Sequence, residues 1–177
     1  MRIPKISEAR NIADFHLANR EHLSIWEPLR GSEFYTIPFW QEQIRSAQQQ
    51  FLHQYSLKLC LFQKENQNLV GMINFVNFER GVFHSCRLGY KIGQNFEGKG
   101  MMHESLHVAI AFVFARLNFH RIEANYIPRN HRSGTLLKRL GFKINGQEDH
   151  YLRINGKWET HVLTSLINPD WKAPEGT

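Results

Sequence analysis

Two adjacent segments of the chain have residue types and spacing that can do chemistry. The first, Gly93-Gln94-Asn95-Phe96-Glu97-Gly98-Lys99-Gly100, joins a strand-like run to a helix-like one. Its glycines let the backbone pass close to a bulky anion, and the next helix aims free N–H groups and a positive dipole end at the same spot. Such a turn can cradle a pyrophosphate. It falls one residue short of the P-loop pattern G-x-x-x-x-G-K-[ST], because Gly100 stands where a hydroxyl should hold Mg²⁺. No aliphatic strand ending in Asp offers a second metal anchor. The second segment, His103-Glu104-Ser105-Leu106-His107, matches H-E-x-x-H, whose two histidines share a helix face and can grip zinc. Against zinc, this helix should present its first turn to a phosphate, and no downstream ligand stands out. With ten histidines in 177 residues a chance match is easy, so no metal is expected.

The elements that would position these groups follow from periodicity and turn chemistry. A short strand is expected over Arg2 to Ile6, then a helix over Glu8 to Glu21, an aromatic loop around Trp26-Glu27-Pro28-Leu29, and a helix from Phe39 to Tyr55. Ser56 to Gln63, Leu69 to Phe78 and Val82 to Gly93 read as strands, leading into the cradle. A helix then runs to about Leu117, followed by a strand from His120 to Tyr126 that Pro128 stops. Asn130 to Leu140 has a helix N-cap in Asn130 and a C-terminal Gly141. Phe142 to Ile154 and Lys157 to Ile167 form a hairpin about Asn155-Gly156. The order β-α-α-β-β-β-α-β-α-β-β predicts an α/β fold, a mixed sheet with helices on both faces.

Coenzyme A is the third reading of the cradle, and a second block of sequence strengthens it. Asn95-Phe96-Glu97-Gly98-Lys99-Gly100 resembles the [RQ]-x-x-G-x-[GA] signature of the Gcn5-related N-acetyltransferases (GNAT), with Asn in the first place. Asn130 to Phe142 resembles that superfamily's N-x-x-[SA]-x-x-L-x-x-x-G-F helix. Narrower similarity, to the branch that acetylates ribosomal proteins, is carried by Asn19 to Pro28, Arg87-Leu88-Gly89-Tyr90, Ala124 to Pro128, His161-Val162-Leu163-Thr164 and Pro169-Asp170-Trp171.

The resemblance covers nearly the whole chain. It implies a mostly antiparallel sheet of about seven strands, splayed at an acetyl-CoA site. It also implies acetyl transfer to a protein α-amine, the N-terminal alanine of small-subunit ribosomal protein number five. Tyr90, Lys91 and Ile92 would diverge from the strand at Glu123 to Tyr126, offering unpaired backbone groups to the pantetheine arm. An N–H near Leu88 to Tyr90 would polarise the thioester carbonyl. Amides from Phe96 to Met101 would bind the pyrophosphate, aided by Lys99 and the Asn95 amide, with Asn130 capping the next helix. Many family members place a proton-donating tyrosine seven residues after this asparagine; here Leu137 stands there. Ser133 resembles the serine that related enzymes use near the leaving thiolate. A thiol of pKa about 8.5 needs only modest help.

An α-amine titrates near ~7.7–8.0, so a water-relayed base suffices and its identity stays open. Glu27, Glu148 and Asp149 are candidates, and Glu123 a weaker one. Trp26, Phe34 and Tyr35, with Tyr126, are expected at the peptide entrance, where a small pocket would favour alanine by steric exclusion. Gly134, inside a helix, reads either as close approach by a ligand or strand or as an exposed glycine that the helix tolerates.

Composition agrees with such an enzyme. Hydrophobic residues make up 42% and charged residues 21% of one expected domain, 1–177. A net charge of +6 suits an anionic cofactor or ribosomal, rRNA-rich surroundings. No basic cluster or nucleic-acid motif points to DNA, and a ribosome-assembly role without catalysis or a small-molecule amine substrate are the rivals. Cys60 and Cys86 sit in apolar runs and read as buried thiols. No run reaches membrane-spanning length and the start Met1-Arg2-Ile3-Pro4 is not a secretory signal, so a cytoplasmic protein is expected. The first strand is short for this fold, which leaves room for residues upstream.

Overall fold

Alternation along the central strands decides the layering. The computed structural model describes residues 1–173. It contains helices α1 (Ala9–Ala18), α2 (Arg20–Ser24), α3 (Ile37–Leu52), α4 (Met101–Leu117) and α5 (His131–Arg139). The strands are β1 (Leu57–Phe62), β2 (Leu69–Glu79), β3 (Ser85–Ile92), β4 (Arg121–Tyr126), β5 (Lys143–Ile154) and β6 (Lys157–Ile167). They form one sheet in the order β1-β2-β3-β4-β6-β5. Leu57, Leu59, Ile73, Phe75, Cys86, Leu88, Ile122 and Ala124 turn to one face, where Met102, Leu106, Ala109 and Val113 of α4 and Leu137 of α5 cover them. The alternate residues Cys60 and Met72 turn to the other face, against Ile12 and Phe15 of α1 and Trp40 and Ile44 of α3.

Every neighbouring pair is antiparallel except β3 with β4. That parallel pairing lasts for three residue pairs, Ser85–Arg121, Cys86–Ile122 and Arg87–Glu123. Beyond Arg87 the two strands part, leaving Leu88 to Ile92 and Ala124 to Tyr126 without each other. The splay expected from the family resemblance is therefore present, in a mixed, mostly antiparallel sheet.

Two local expectations differ. The sheet has six strands, because the segment at Arg2 makes only an isolated bridge to Cys60. Pro4 has no N–H to extend the ladder, and the chain turns into a 3₁₀ helix at Ile6–Glu8, where Glu8 takes the Arg2 guanidinium at 2.5 Å. The helix expected over Glu8 to Glu21 breaks at Asn19, whose backbone (φ −107°, ψ 17°) separates α1 from α2. The hairpin turns as expected, with Asn155 at φ 45° and Gly156 at φ 80°, the two left-handed positions of a type I′ turn. Both cysteines are free and buried, and burial pushes each thiol up to about 12. Among the described residues no helix is long and apolar enough to cross a membrane.

Candidate active site

The turn after β3 is shaped by its glycines. Gly98 (φ 72°) and Gly100 (φ 78°) are left-handed, and a Cβ at either would meet nothing within 4 Å. Backbone twist rather than crowding therefore requires glycine there. The amides of Phe96 and Glu97 are engaged within the turn, on the carbonyls of Gly93 (2.9 Å) and Gln94 (3.3 Å). Glu104 N–H is the first to close onto α4, bonding the Gly100 carbonyl at 3.0 Å. The amides of Gly98, Lys99, Gly100 and Met101 thus have no backbone partner among the described residues, at the start of the helix. The side chains of Asn95 and Lys99 are exposed beside them.

Asn19, at the α1–α2 break, ties this turn down. Its Oδ1 accepts from the Gln94 amide at 2.9 Å while its Nδ2 donates to the Phe15 carbonyl at 2.8 Å. Gly93 is needed for this approach: a Cβ there would sit 3.1 Å from the Phe15 ring and 3.3 Å from Asn19 Oδ1. Sequence reasoning missed Asn19, since a polar residue in an amphipathic run gives no sign of a partner 75 positions away. Glu97 links two further elements, pairing with His22 of α2 at 3.2 Å and with Arg132 of α5.

On the α4–α5 face, α5 brings Ser133 to the opened edge of β3. Asn130 caps the helix by accepting the Ser133 amide at 3.1 Å. The Ser133 hydroxyl lies 2.8 Å from the Tyr90 hydroxyl. Burial pushes the Tyr90 phenol up to about 12, against the lowering pull of its Ser133 bond, so it remains a proton carrier near neutrality. Gly134 answers to Tyr126, because a Cβ there would come within 2.8–3.0 Å of that ring. Tyr126, Gly134, Leu137, Phe142, Val162 and Thr164 line a cavity of about 570 Å³ on this face.

On the opposite face the loop after α2 and the β5–β6 hairpin meet. Asn155 N–H donates to the Glu27 carbonyl at 2.9 Å. The Glu27 carboxylate pairs with Lys91 of β3 and lies 3.8 Å from Arg30. Burial pulls the Lys91 ammonium below its ordinary value, while Glu27 pulls it back up. Trp26 lies under the Arg129 guanidinium, 5.7 Å from ring centroid to cation, and Arg129 grips Glu159 through two bonds of 2.6 and 2.9 Å. Phe34 is a core residue, packed edge-on to His16 and Trp40. With Tyr35, Glu27, Arg30, His16 and Asn155 it borders a cavity of about 260 Å³. Glu148 and Asp149 are exposed on β5, Asp149 accepting from the Thr160 hydroxyl at 2.8 Å, and neither lines either of these two cavities.

Between these regions, Gly89 sits in an unbroken ladder opposite Asn74, and a Cβ there would meet nothing within 4 Å. The buried Asn74 Oδ1 has no hydrogen-bond partner. The backbone at Gly89 is thus open beside the parted strands, while the Asn74 oxygen is closed off from solvent.

Residues 5–143 match the family described as Acetyltransferase (GNAT) domain. The chain belongs to the GNAT family. This acetyltransferase is 42% identical over 164 residues to the [Ribosomal protein uS5]-alanine N-acetyltransferase of Escherichia coli K12, covering 93% of the chain and 84% of that protein. Its fold is similar to the crystal structure of the ribosomal-protein-S5-alanine acetyltransferase of Vibrio fischeri. The TM-score is 0.94 and the identity 38%, over 97% of the chain and 94% of that structure. Mycobacterium smegmatis RimJ in complex with CoA-disulfide is also similar, with TM-score 0.87 and 25% identity over 94% of the chain and 80% of that structure.

Proposed function

We propose that the enzyme, residues 1–177 acting as one domain, transfers the acetyl group of acetyl-CoA to the N-terminal alanine of small-subunit ribosomal protein uS5. The observation that carries this reading is 42% identity, over 93% of the chain, to an enzyme of that activity. The parted strands β3 and β4 are the geometry such a transfer needs.

The free amides from Gly98 to Met101 and the start of α4 hold the coenzyme diphosphate. Lys99 and Arg132 stand close enough to add positive charge. The edges at Leu88 to Ile92 and Ala124 to Tyr126 pair with the amides of the pantetheine arm, and an N–H between Leu88 and Tyr90 stabilises the developing oxyanion. The peptide amine enters from the opposite face, past Trp26 and Tyr35, to the open backbone at Gly89. Tyr90 donates to Ser133, which leaves the serine hydrogen free to meet the departing sulfur. Direct attack in a ternary complex needs no covalent enzyme intermediate.

The net charge of +6 would also draw the enzyme toward cytoplasmic ribosomal particles, an attraction that weakens with salt. Mass spectrometry of short peptides differing only in their first residue, incubated with acetyl-CoA, tests the reading. Acetylation of the alanine peptide well ahead of bulky starts is expected. Equal rates would overturn the alanine pocket, and activity confined to small-molecule amines would overturn the peptide substrate.

A further inference from the structure

The face of the sheet that the amine enters carries polar side chains on β4 and β6. Ile122 and Ala124 turn to the α4–α5 side, so Glu123 and Asn125 turn to this one. Asn125 is the first β4 residue on this face beyond the last pairing with β3. Its Nδ2 donates to the Tyr151 hydroxyl at 3.1 Å, and its Oδ1 accepts the Thr164 amide at 3.2 Å. The Tyr151 ring in turn packs on His161, with centroids 5.4 Å apart. His161 lies one residue past the end of the β4–β6 ladder, at the open end of the splay. It is 4% exposed.

The tautomer of this histidine follows from its one hydrogen bond. Its Nδ1 is 2.9 Å from the Glu159 carbonyl oxygen. A carbonyl can only accept, so Nδ1 carries the hydrogen of the neutral ring and Nε2 presents a lone pair. Nε2 makes no hydrogen bond among the described residues. A buried imidazole locked in one tautomer, with its acceptor nitrogen uncommitted, has the form of a proton acceptor.

We propose that His161 is the general base for the incoming α-amine, directly or through one water. The proposal rests on the acetyl-transfer reading above. The neutral amine attacks the thioester carbonyl, the C–N bond forms, and the nitrogen becomes positive. Its extra proton passes to His161 Nε2. The C–S bond then breaks, the Ser133 hydroxyl hydrogen-bonds the leaving sulfur, and solvent supplies the proton that makes the thiol while His161 returns its own to solvent. The groups facing His161 suit a transient imidazolium. Glu148 stands opposite on β5, Tyr151 lies beside it, and Glu159 of its own strand is held by Arg129 from the loop after β4. This arrangement gives Glu148 an electrostatic part from its place opposite His161 on β5.

Two variants test the assignment. His161→Asn keeps an N–H for the Glu159 carbonyl but removes the imidazole, and His161→Ala leaves a space that added imidazole can fill. With an alanine-first peptide, each should lower kcat by about 100-fold, while calorimetry shows acetyl-CoA binding within about twofold of wild type. Added imidazole should restore at least about tenfold to the alanine variant, in a saturable way. A kcat within about threefold of wild type for a folded variant overturns the proposal. So does an alanine variant that binds acetyl-CoA normally yet gains nothing from imidazole. If His161→Ala does not fold, the kcat of His161→Asn decides alone. Wild-type inactivity on every peptide would sink the acetyl-transfer reading itself, a distinguishable result.

Discussion

The two faces of the sheet are built on different principles. On the α4–α5 face the site is made of backbone and apolar packing: two left-handed glycines, a helix start, and α4 packed on the sheet core through Met102, Leu106 and Val113. On the α1–α3 face it is made of long side-chain pairs across distant segments, such as Glu27 with Lys91 and Arg129 with both Trp26 and Glu159. The contrast suits their tasks. Acetyl-CoA is the same in every turnover, and a fixed backbone can grip it, whereas in the reading proposed above choice among protein termini would be set by side chains that substitution can change. Charged groups partly withdrawn from water make the second face the less forgiving one.

The largest effect should come from breaking that second face. Glu27→Ala leaves Lys91 buried and unpaired, and should cost roughly 3 kcal/mol. For a chain of this size that is a fall in melting temperature of about 6–12 °C. Glu27→Leu combined with Lys91→Met should recover most of it. An unchanged melting point in the single variant would mean the pair does not organise the loop.

His16 comes next. It is stacked on Trp40 at 4.7 Å, and burial first, then Lys91 and Arg30, push its pKa down to about 2. The unfolded chain takes up a proton there below about 6.5 while the folded one does not. Stability contributed by the neutral ring is therefore full above about 6.5 and declines as pH falls toward 2, by roughly 2 kcal/mol at pH 5. His16→Phe should flatten that decline in denaturant melts at pH 5 and 7, and parallel declines would remove His16 as the cause.

A smaller change tests the coenzyme face. Ser133→Ala should lower kcat by about tenfold, and Tyr90→Phe by somewhat less, without weakening acetyl-CoA binding. The double variant should be no worse than Ser133→Ala, since the tyrosine acts through the serine; additive losses would uncouple them. The smallest effect belongs to Asn19→Ala, which frees the Gln94 amide and should weaken acetyl-CoA by about threefold to tenfold in calorimetry.

The same contrast explains what could be read from the chain. The glycine turn before α4, the Asn130 cap and the Asn155-Gly156 hairpin are local, each decided by residues a few positions apart. The structure shows these three local geometries, although the Phe96 and Glu97 amides are spent inside the turn. The break at Asn19 escaped notice because helical periodicity runs through it, and only the tether to Gln94 gives it a reason. The expected first strand failed because Pro4 could not carry a ladder. Gly134 allowed a close neighbour, and the ring of Tyr126 from β4 turned out to be one. Pairs such as Tyr90 with Ser133, 43 positions apart, leave no trace in local spacing and emerge only once the sheet is assembled.

The brevity of the β3–β4 pairing has a further consequence. Three rungs join the half-sheet β1-β2-β3 to the half-sheet β4-β6-β5. On the binding mode proposed above, a pantetheine arm laid between them would act as a missing seventh member, stitching both halves along their parted length. Loading the coenzyme should therefore slow hydrogen exchange at Leu88 to Ile92 and Ala124 to Tyr126 together. An empty enzyme would then present the peptide with a looser mouth than a charged one, and such a difference would favour loading of the thioester before the peptide.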